Sequence, residues 1–319
     1  MDTPRSRRSM LGDLAKIAAL LAVPAPLAAL GGDGASSVGA RDGGTPIGPD
    51  DADMARLAAW TAALRAVGLT GSTVPLASAA AGVGELAVGT PYEAHTLEAY
   101  LRAGGSGARE EPLALSLTRF DCVTLVESCL GVARVACGAA IEPSWDGFAS
   151  EVERMRYRDG TRGDYASRLH YFSEWITDGE RRGLLRDLGG ELGAEVDARP
   201  LRFMTEHRDS YVALADDRVF ESIAAVERGL DGVPRRVIPT ARIPEVADRI
   251  ETGDVLAFAT DIPGLDVTHA AFAHRGGDGV LRVLHAPLSG GTVEVTSATL
   301  PEYVARIRRA TGILVARPA

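Results

Sequence analysis

Lysine is nearly missing from this chain: of its 34 basic residues only Lys16 is a lysine. Alongside the abundant Ala and Gly, that reads as bias in the coding sequence rather than function. Positive charge is in deficit too. The formal net charge of -9 excludes a general nucleic-acid binder, because phosphate binding calls for a basic surface. Cysteine is scarce: Cys122, Cys129 and Cys137. Three thiols in 319 residues make no disulfide framework and cannot all pair with one another. Paired ligand spacings such as C-x-x-C or H-E-x-x-H are absent, so neither a metal site nor a cofactor is expected. No apolar run reaches the roughly 20 residues of a membrane span, so no integral span is expected after processing.

What is present begins with a targeting segment. Residues 1–31 read as a signal peptide: Arg5, Arg7 and Arg8, an Ala/Leu-rich run from Ile17 to Leu30, then small residues Ala29 and Gly31 near a cleavage point. Ser6-Arg7-Arg8-Ser9-Met10-Leu11 resembles a twin-arginine export motif, with Met in place of the usual Phe. An exported protein, periplasmic or secreted, is expected. Residues 32–50 are rich in Gly, Ser, Asp and Pro and read as a flexible linker. Residues 51–319 read as a single catalytic domain.

Within that domain the hydrophobic period changes. Met54, Leu57, Trp60 and Leu64 predict a helix over 50–67, and a weaker one is expected over 76–86. Cys122 opens a third, with Asp121 as N-cap and apolar residues from Val123 to Val135. Further helical pieces are expected at 145–155, 165–175, 217–230 and 300–309. Strand-like runs fall at 254–259, 267–273, 280–285, 292–295 and 313–316, with the turn signal Gly276-Gly277-Asp278-Gly279 between two of them. Helices first and antiparallel strands later define an α+β class.

A thiol nucleophile needs a lowered pKa, a base and donors for an oxyanion. Cys122, in the first turn of a helix, is placed to gain from the helix dipole and its free N–H groups. Cys129 and Cys137 lie deeper in the helix and read as packing residues. His269 and His285 are the candidate bases. With the hairpin loop centred on Gly277, the two imidazoles stand directly opposite on one sheet face. One would take the thiol proton while the other orients it. The same residues also suit an ordinary buried thiol and two satisfied core histidines. His95, His170, His207 and His274 are spare candidates.

Phe120-Asp121-Cys122, a strand with Thr268-His269 and a strand ending Leu284-His285-Ala286 together resemble the NlpC-type cell-wall cysteine peptidases, which are papain-like. Gly89-Thr90-Pro91-Tyr92 and Thr252-Gly253-Asp254-Val255 resemble further segments of that superfamily. The longer match, roughly Gly89 to Ala319, resembles its N-acetylmuramoyl-L-alanine amidase-like branch. It adds Tyr157-Arg158-Asp159-Gly160, the block from Ser167 to Trp175, Phe203-Met204 and Val237-Ile238-Pro239. The resemblance implies a papain-like core, with the nucleophile at the N-terminus of a helix packed on an antiparallel sheet. It implies Cys122 as nucleophile, His269 as base and His285 as orienting residue. It implies peptidoglycan fragments (muropeptides) as partners and the amide between the muramic lactyl group and L-alanine as substrate bond. Tyr92 and Asp121 are expected beside the substrate by the same resemblance. Arg168 and His170 are candidates for gripping substrate carboxylates, though the Ser167–Trp175 block also suits a helix packed on the core. Related endopeptidases carry Ser after the nucleophile, to hold a free L-Ala amine. Val123 stands there in this chain and offers no hydrogen bond, which favours an amidase. The alternatives are a D-glutamyl-diaminopimelate endopeptidase and a non-catalytic muropeptide-binding module.

Overall fold

The computed structural model of the protein describes residues 50–138, 143–289 and 291–319. The expected signal peptide, 1–31, and linker, 32–50, lie outside the described residues, save Asp50. That residue caps the first helix instead of ending a linker: its Oδ1 accepts from Asp53 N–H at 2.7 Å.

Helix α1 (Asp51–Ala66) buries Leu57, Trp60 and Leu64 as its spacing predicts. Met54 does not join them and stays half exposed. In its stead Asp53 is buried, its carboxylate accepting from Leu117 N–H at 2.7 Å and Ser116 Oγ at 3.2 Å. This ties α1 to the segment that leads into Cys122. Helix α2 (Leu76–Ala87) is rich in Ala and Gly and packs against α3 (Cys122–Cys137). Small side chains allow that close approach. At Gly253 glycine is required, since φ is +89° and an added Cβ would come 1.9 Å from the Ala77 carbonyl oxygen. Helix α3 buries Leu125, Val126, Leu130 and Val132; each such side chain contributes roughly 1.5–3 kcal/mol on removal from water.

Helix α4 (Trp145–Arg156) follows the expected range. The next expected helix, 165–175, does not form as one piece. Tyr165–Ser167 is a single 3-10 turn, Arg168 to Tyr171 are extended or irregular, and helix α5 runs Phe172–Arg181. A 3-10 turn puts i and i+3 in line with poorer hydrogen bonds, so it does not propagate. Helix α6 spans Asp217–Gly229.

The sheet has eight strands, three of them unexpected: β1 (Leu185–Asp187), β2 (Glu195–Asp197) and β3 (Arg235–Pro239). The expected ones are β4 (Val255–Thr260), β5 (Val267–Arg275), β6 (Leu281–His285), β7 (Glu294–Val295) and, after helix α7 (Leu300–Arg306), β8 (Ala310–Pro318). The order is β2-β3-β8-β4-β5-β6-β7, with β1 also on β8, and every pairing is antiparallel. The architecture is therefore α+β with an antiparallel sheet. One face carries Val255, Ala257, Ala270, Phe272 and Leu314 toward α3; the other carries Leu256, Phe258, Ala271, Val283 and Val315 toward the C-terminal helices. Among the described residues no helix is long and apolar enough to cross a membrane.

Two expectations for the histidine strands need correction. The hairpin loop is centred on Asp278, not Gly277, because Arg275 pairs with Leu281 and Phe272 with Leu284. Continued, that register sets His285 against Ala271, and His269 is its diagonal neighbour. The shift is by two residues, so both histidines keep one face. The face-to-face alternation that a regular strand gives Val267 to Ala271 also fails. Ala257 pairs with Ala270 but Ala259 pairs with Val267, so Phe258 faces two residues, Thr268 and His269. This β-bulge turns His269 relative to its neighbours, as bulges do beside binding sites.

Candidate active site

Asp121 and Thr124 form a capping box at the head of α3. Asp121 Oδ1 accepts from Thr124 N–H and from its hydroxyl, both at 2.8 Å, while Asp121 N–H donates to Thr124 Oγ1 at 2.9 Å. The carboxylate is thus engaged as an N-cap, and it fixes the helix start that presents Cys122.

Cys122 is 2 % exposed, yet its side chain lines a cavity of about 50 Å³ that His269, Ala270, Val267, His170 and Arg168 also border. Strand β5 packs on α3 here, and the Ala270 N–H acts on the sulfur with those of Cys122 and Val123. These donors do not win. Burial first, then the Asp121 carboxylate, pushes the thiol pKa up to about 12. The expectation of a lowered pKa fails because the helix dipole acts within a desolvated pocket, where loss of water outweighs it. At rest Cys122 is a thiol. Cys129 sits in the core with no exposure, and Cys137 is partly exposed; all three cysteines are free.

His269 lies flat against Phe258, centroids 5.5 Å apart and planes 13° from parallel. Its Nε2 meets His285 Nδ1 at 2.8 Å, and its own Nδ1 is buried with no hydrogen-bond partner. Burial, then His285, holds its pKa well below the usual histidine value; burial brings His285 to about 4. Both rings are therefore neutral near pH 7. The Tyr303 hydroxyl of α7 lies 3.3 Å from His285 Nδ1.

The other expected residues surround this pair unevenly. Tyr92 bridges to Phe120 and is half buried; burial raises its phenol above the usual range, with Cys122 next in effect, so it stands electrically close to the sulfur. Arg168 is buried with its guanidinium committed to two carboxylates, Glu98 at 2.5 Å and Glu111 at 3.1 Å. His170 borders the cavity with Nε2 on the Tyr165 carbonyl at 2.8 Å. A carbonyl only accepts, so that nitrogen carries the proton.

Sequence reasoning missed three features. Glu127 and Arg156 form an enclosed ion pair at 2.7 Å, each side chain 2 % exposed, on the cavity wall. Tyr303 and Glu294 stand beside His285. A register for β6 with β7 would have found Glu294. The others lie far apart in sequence and carry no local signal. Among the described residues no group of three or more His, Cys, Asp or Glu is arranged to hold a metal.

Fold and cavity together define an α+β protein with a free thiol and an imidazole pair at one enclosed site. The chain belongs to the N-acetylmuramoyl-L-alanine amidase-like family, whose model matches residues 82–313. An N-acetylmuramoyl-L-alanine amidase from Bacteroides uniformis is 31 % identical, over 76 % of this chain and 99 % of its own, with a TM-score of 0.69. A Bacteroides fragilis protein named as a xylanase is 33 % identical over 74 % of this chain and 99 % of its own, with a TM-score of 0.66. A Legionella pneumophila protein, 20 % identical over 84 % of this chain and 94 % of its own, shares the fold with a TM-score of 0.58. A search of curated proteins gave no match.

Proposed function

We propose that this protein is a cysteine amidase that hydrolyses the bond between the muramic lactyl group and L-alanine in peptidoglycan fragments. The observation that carries the reading is the His269 ring. One nitrogen is held by His285 and the other, buried and unpartnered, belongs to a residue lining the cavity of Cys122. An imidazole nitrogen with no protein partner, in a cavity shared with a thiol, is placed to act as general base when its proton sits on the other nitrogen.

The mechanism follows from the neutral resting state. As substrate enters, His269 Nδ1 takes the Cys122 proton and the sulfur attacks the lactyl carbonyl. The carbonyl oxygen becomes an oxyanion to which the Cys122 and Val123 N–H groups at the head of α3, set on the sulfur at rest, can turn. Collapse expels the L-alanine amine, which leaves with the proton from His269. Water then attacks the thioester, gives its proton back to His269, and releases the muramyl carboxylate. The thiol is reformed as the imidazole gives up that proton.

The helix-borne nucleophile on an antiparallel sheet supports the papain-like, NlpC-type placement. Apolar clusters on both faces of one sheet, and a third that takes in Ile262 and Leu265 of the β4–β5 connection, support residues 51–319 as one catalytic domain. A cell-wall substrate and the charged, then apolar, N-terminus support export to a periplasmic or extracellular site. Tyr92 and His170 are the proposed substrate contacts, with Asp121 and Arg168 acting at the cavity wall. A glycosidase reading has less to work with: it needs two available carboxylates, whereas Asp121 is an N-cap and Glu127 is paired with Arg156.

Mass spectrometry of digested muropeptides tests the proposal. Wild type is expected to release intact stem peptides and a muramic sugar with a free lactyl carboxylate, and Cys122→Ser to release neither. Cleavage between D-glutamate and diaminopimelate would make it an endopeptidase. Binding without turnover by wild type would make it a recognition module.

A further inference from the structure

Glu294 is paired with His285 across β6 and β7. Its Oε1 lies 3.5 Å from His285 Nε2, a nitrogen that is buried and lacks a hydrogen-bond partner. The glutamate itself reaches out to solvent, with 55 % of its side chain exposed. The other nitrogen of His285 faces both His269 Nε2, at 2.8 Å, and the Tyr303 hydroxyl, at 3.3 Å. We propose that Glu294 is a fourth, positioning member of the Cys122–His269–His285 relay, keeping the His285 proton on Nε2. Its catalytic consequence rests on the cysteine-amidase reading; its effect on the tautomer does not.

The argument is one of donors and acceptors. A hydrogen bond between two neutral imidazoles needs one N–H and one bare nitrogen. If His269 is to present a bare Nδ1 to the thiol, its proton must sit on Nε2. His285 Nδ1 must then accept, and the His285 proton must be on Nε2. The reversed arrangement puts a proton on His269 Nδ1, where no base is left for Cys122. Tyr303 does not decide between the two, because a hydroxyl both donates and accepts. A carboxylate only accepts, so it favours the productive tautomer.

At 3.5 Å the contact is longer than a hydrogen bond. It has reason to shorten when His269 takes the thiol proton, for positive charge then spreads over the imidazole pair. Such contacts tighten in the reacting complex. Among the described residues, Tyr303 from α7 and Glu294 from β7 stand against the pair and Cys122 from α3 shares the cavity of His269, so Glu294 is the carboxylate among them.

Two measurements test this on the intact protein. Nitrogen-15 imidazole spectra of wild type are expected to give His269 and His285 both protonated on Nε2, and Glu294→Ala to mix or reverse those tautomers. Glu294→Gln is expected to keep them, since its amide carbonyl still accepts. In turnover, Glu294→Ala is expected to lower kcat roughly 10- to 100-fold, the worth of one hydrogen bond to a charged group, with KM and melting temperature little changed. Glu294→Gln should recover part of that loss. A wild-type His285 protonated on Nδ1 overturns the inference whatever the substrate proves to be. So does a Glu294→Ala enzyme with unaltered tautomers and kcat. A wild type with the predicted tautomers but no hydrolysis leaves the inference standing and sinks the amidase instead.

Discussion

Two buried polar regions meet at one cavity and treat charge in opposite ways. On the β5–β6 side, Cys122, His269 and His285 are all neutral near pH 7, because burial raises the thiol and lowers the imidazoles. On the far wall, Arg156 and Arg168 face Glu127, Glu98 and Glu111, nearly as enclosed, yet held as ion pairs. Burial alone does not settle ionisation. A partner of opposite sign offsets burial, enough to keep Arg156 and Arg168 charged but only in part for the Glu111 carboxyl; a group without such a partner discharges. In the proposed relay protons can then pass between neutral groups, while the two arginines of the ion layer stay charged around it.

The largest expected effect breaks the ion layer. Arg156 and Glu127 are 2 % exposed, and Arg156 also donates to the Ala114 carbonyl at 2.7 Å. Arg156→Met leaves the Glu127 carboxylate buried and unpaired, and a loss of about 3–5 kcal/mol is expected. Joint replacement by Glu127→Leu and Arg156→Met should restore much of it, since the cost lies in the abandoned charge. Cys122→Ala, in the equally buried relay, should change stability far less while abolishing turnover. Urea unfolding of the three variants checks the contrast. Equal losses for Arg156→Met and Cys122→Ala would mean that the two regions are not different in kind.

A second effect separates the regions by pH. Burial, only partly offset by Arg168, raises the Glu111 carboxyl from 4.5 to about 7. Its folded form holds a proton that the unfolded chain has already lost, so its contribution is complete below pH 4.5 and disappears as pH rises through 7. His285 does the reverse. With its pKa lowered from 6.5 to about 4, its contribution is complete above pH 6.5 and disappears as pH falls through 4. Melting temperatures against pH should show Glu111→Gln flattening the loss between pH 4.5 and 7. His285→Asn should flatten the loss between pH 6.5 and 4. The same sign of change in both variants would contradict the contrast.

The two regions also differ in how far the chain announces them. The relay's helix was readable because N-cap chemistry is local: Asp121, Cys122 and the apolar run behind them lie within a few turns. The histidines were readable as to face, since a register error of two residues preserves parity, but not as to partner. A turn with Gly279 at φ +73° moved the loop centre to Asp278, and the bulge at Thr268–His269 has no residue signature. β1, β2 and β3 span three to five residues each, too short for a period to appear. The ion layer was invisible. Glu98, Glu111, Glu127, Arg156 and Arg168 are spread over 71 residues; Arg168 read as a grip for substrate carboxylates and the others carried no signal, and only the fold makes them partners. The thiol pKa was misjudged for a related reason, because a helix dipole is legible in sequence and burial is not.

The smallest expected effect lies where the regions join. Val123 follows Cys122, the proposed nucleophile, is partly buried and lines the cavity that His269, Arg156 and Arg168 also border. Its side chain neither donates nor accepts, so a substrate with a free L-alanine amine would leave that amine without a partner here. An acylated nitrogen, as in the muramyl amide, carries no charge and needs none. Val123→Ser supplies a hydroxyl at the same place. Peptides beginning with free L-alanine should then bind better, by about tenfold, the low end for one hydrogen bond to a charged group. Turnover of muramyl-linked substrate should change little, because Val123 takes no part in proton transfer. Competition between the two substrates, followed by mass spectrometry, measures the ratio. A ratio that moves toward the muramyl amide would mean that the wall of the cavity, with its paired arginines, selects substrate in place of the residue beside the sulfur.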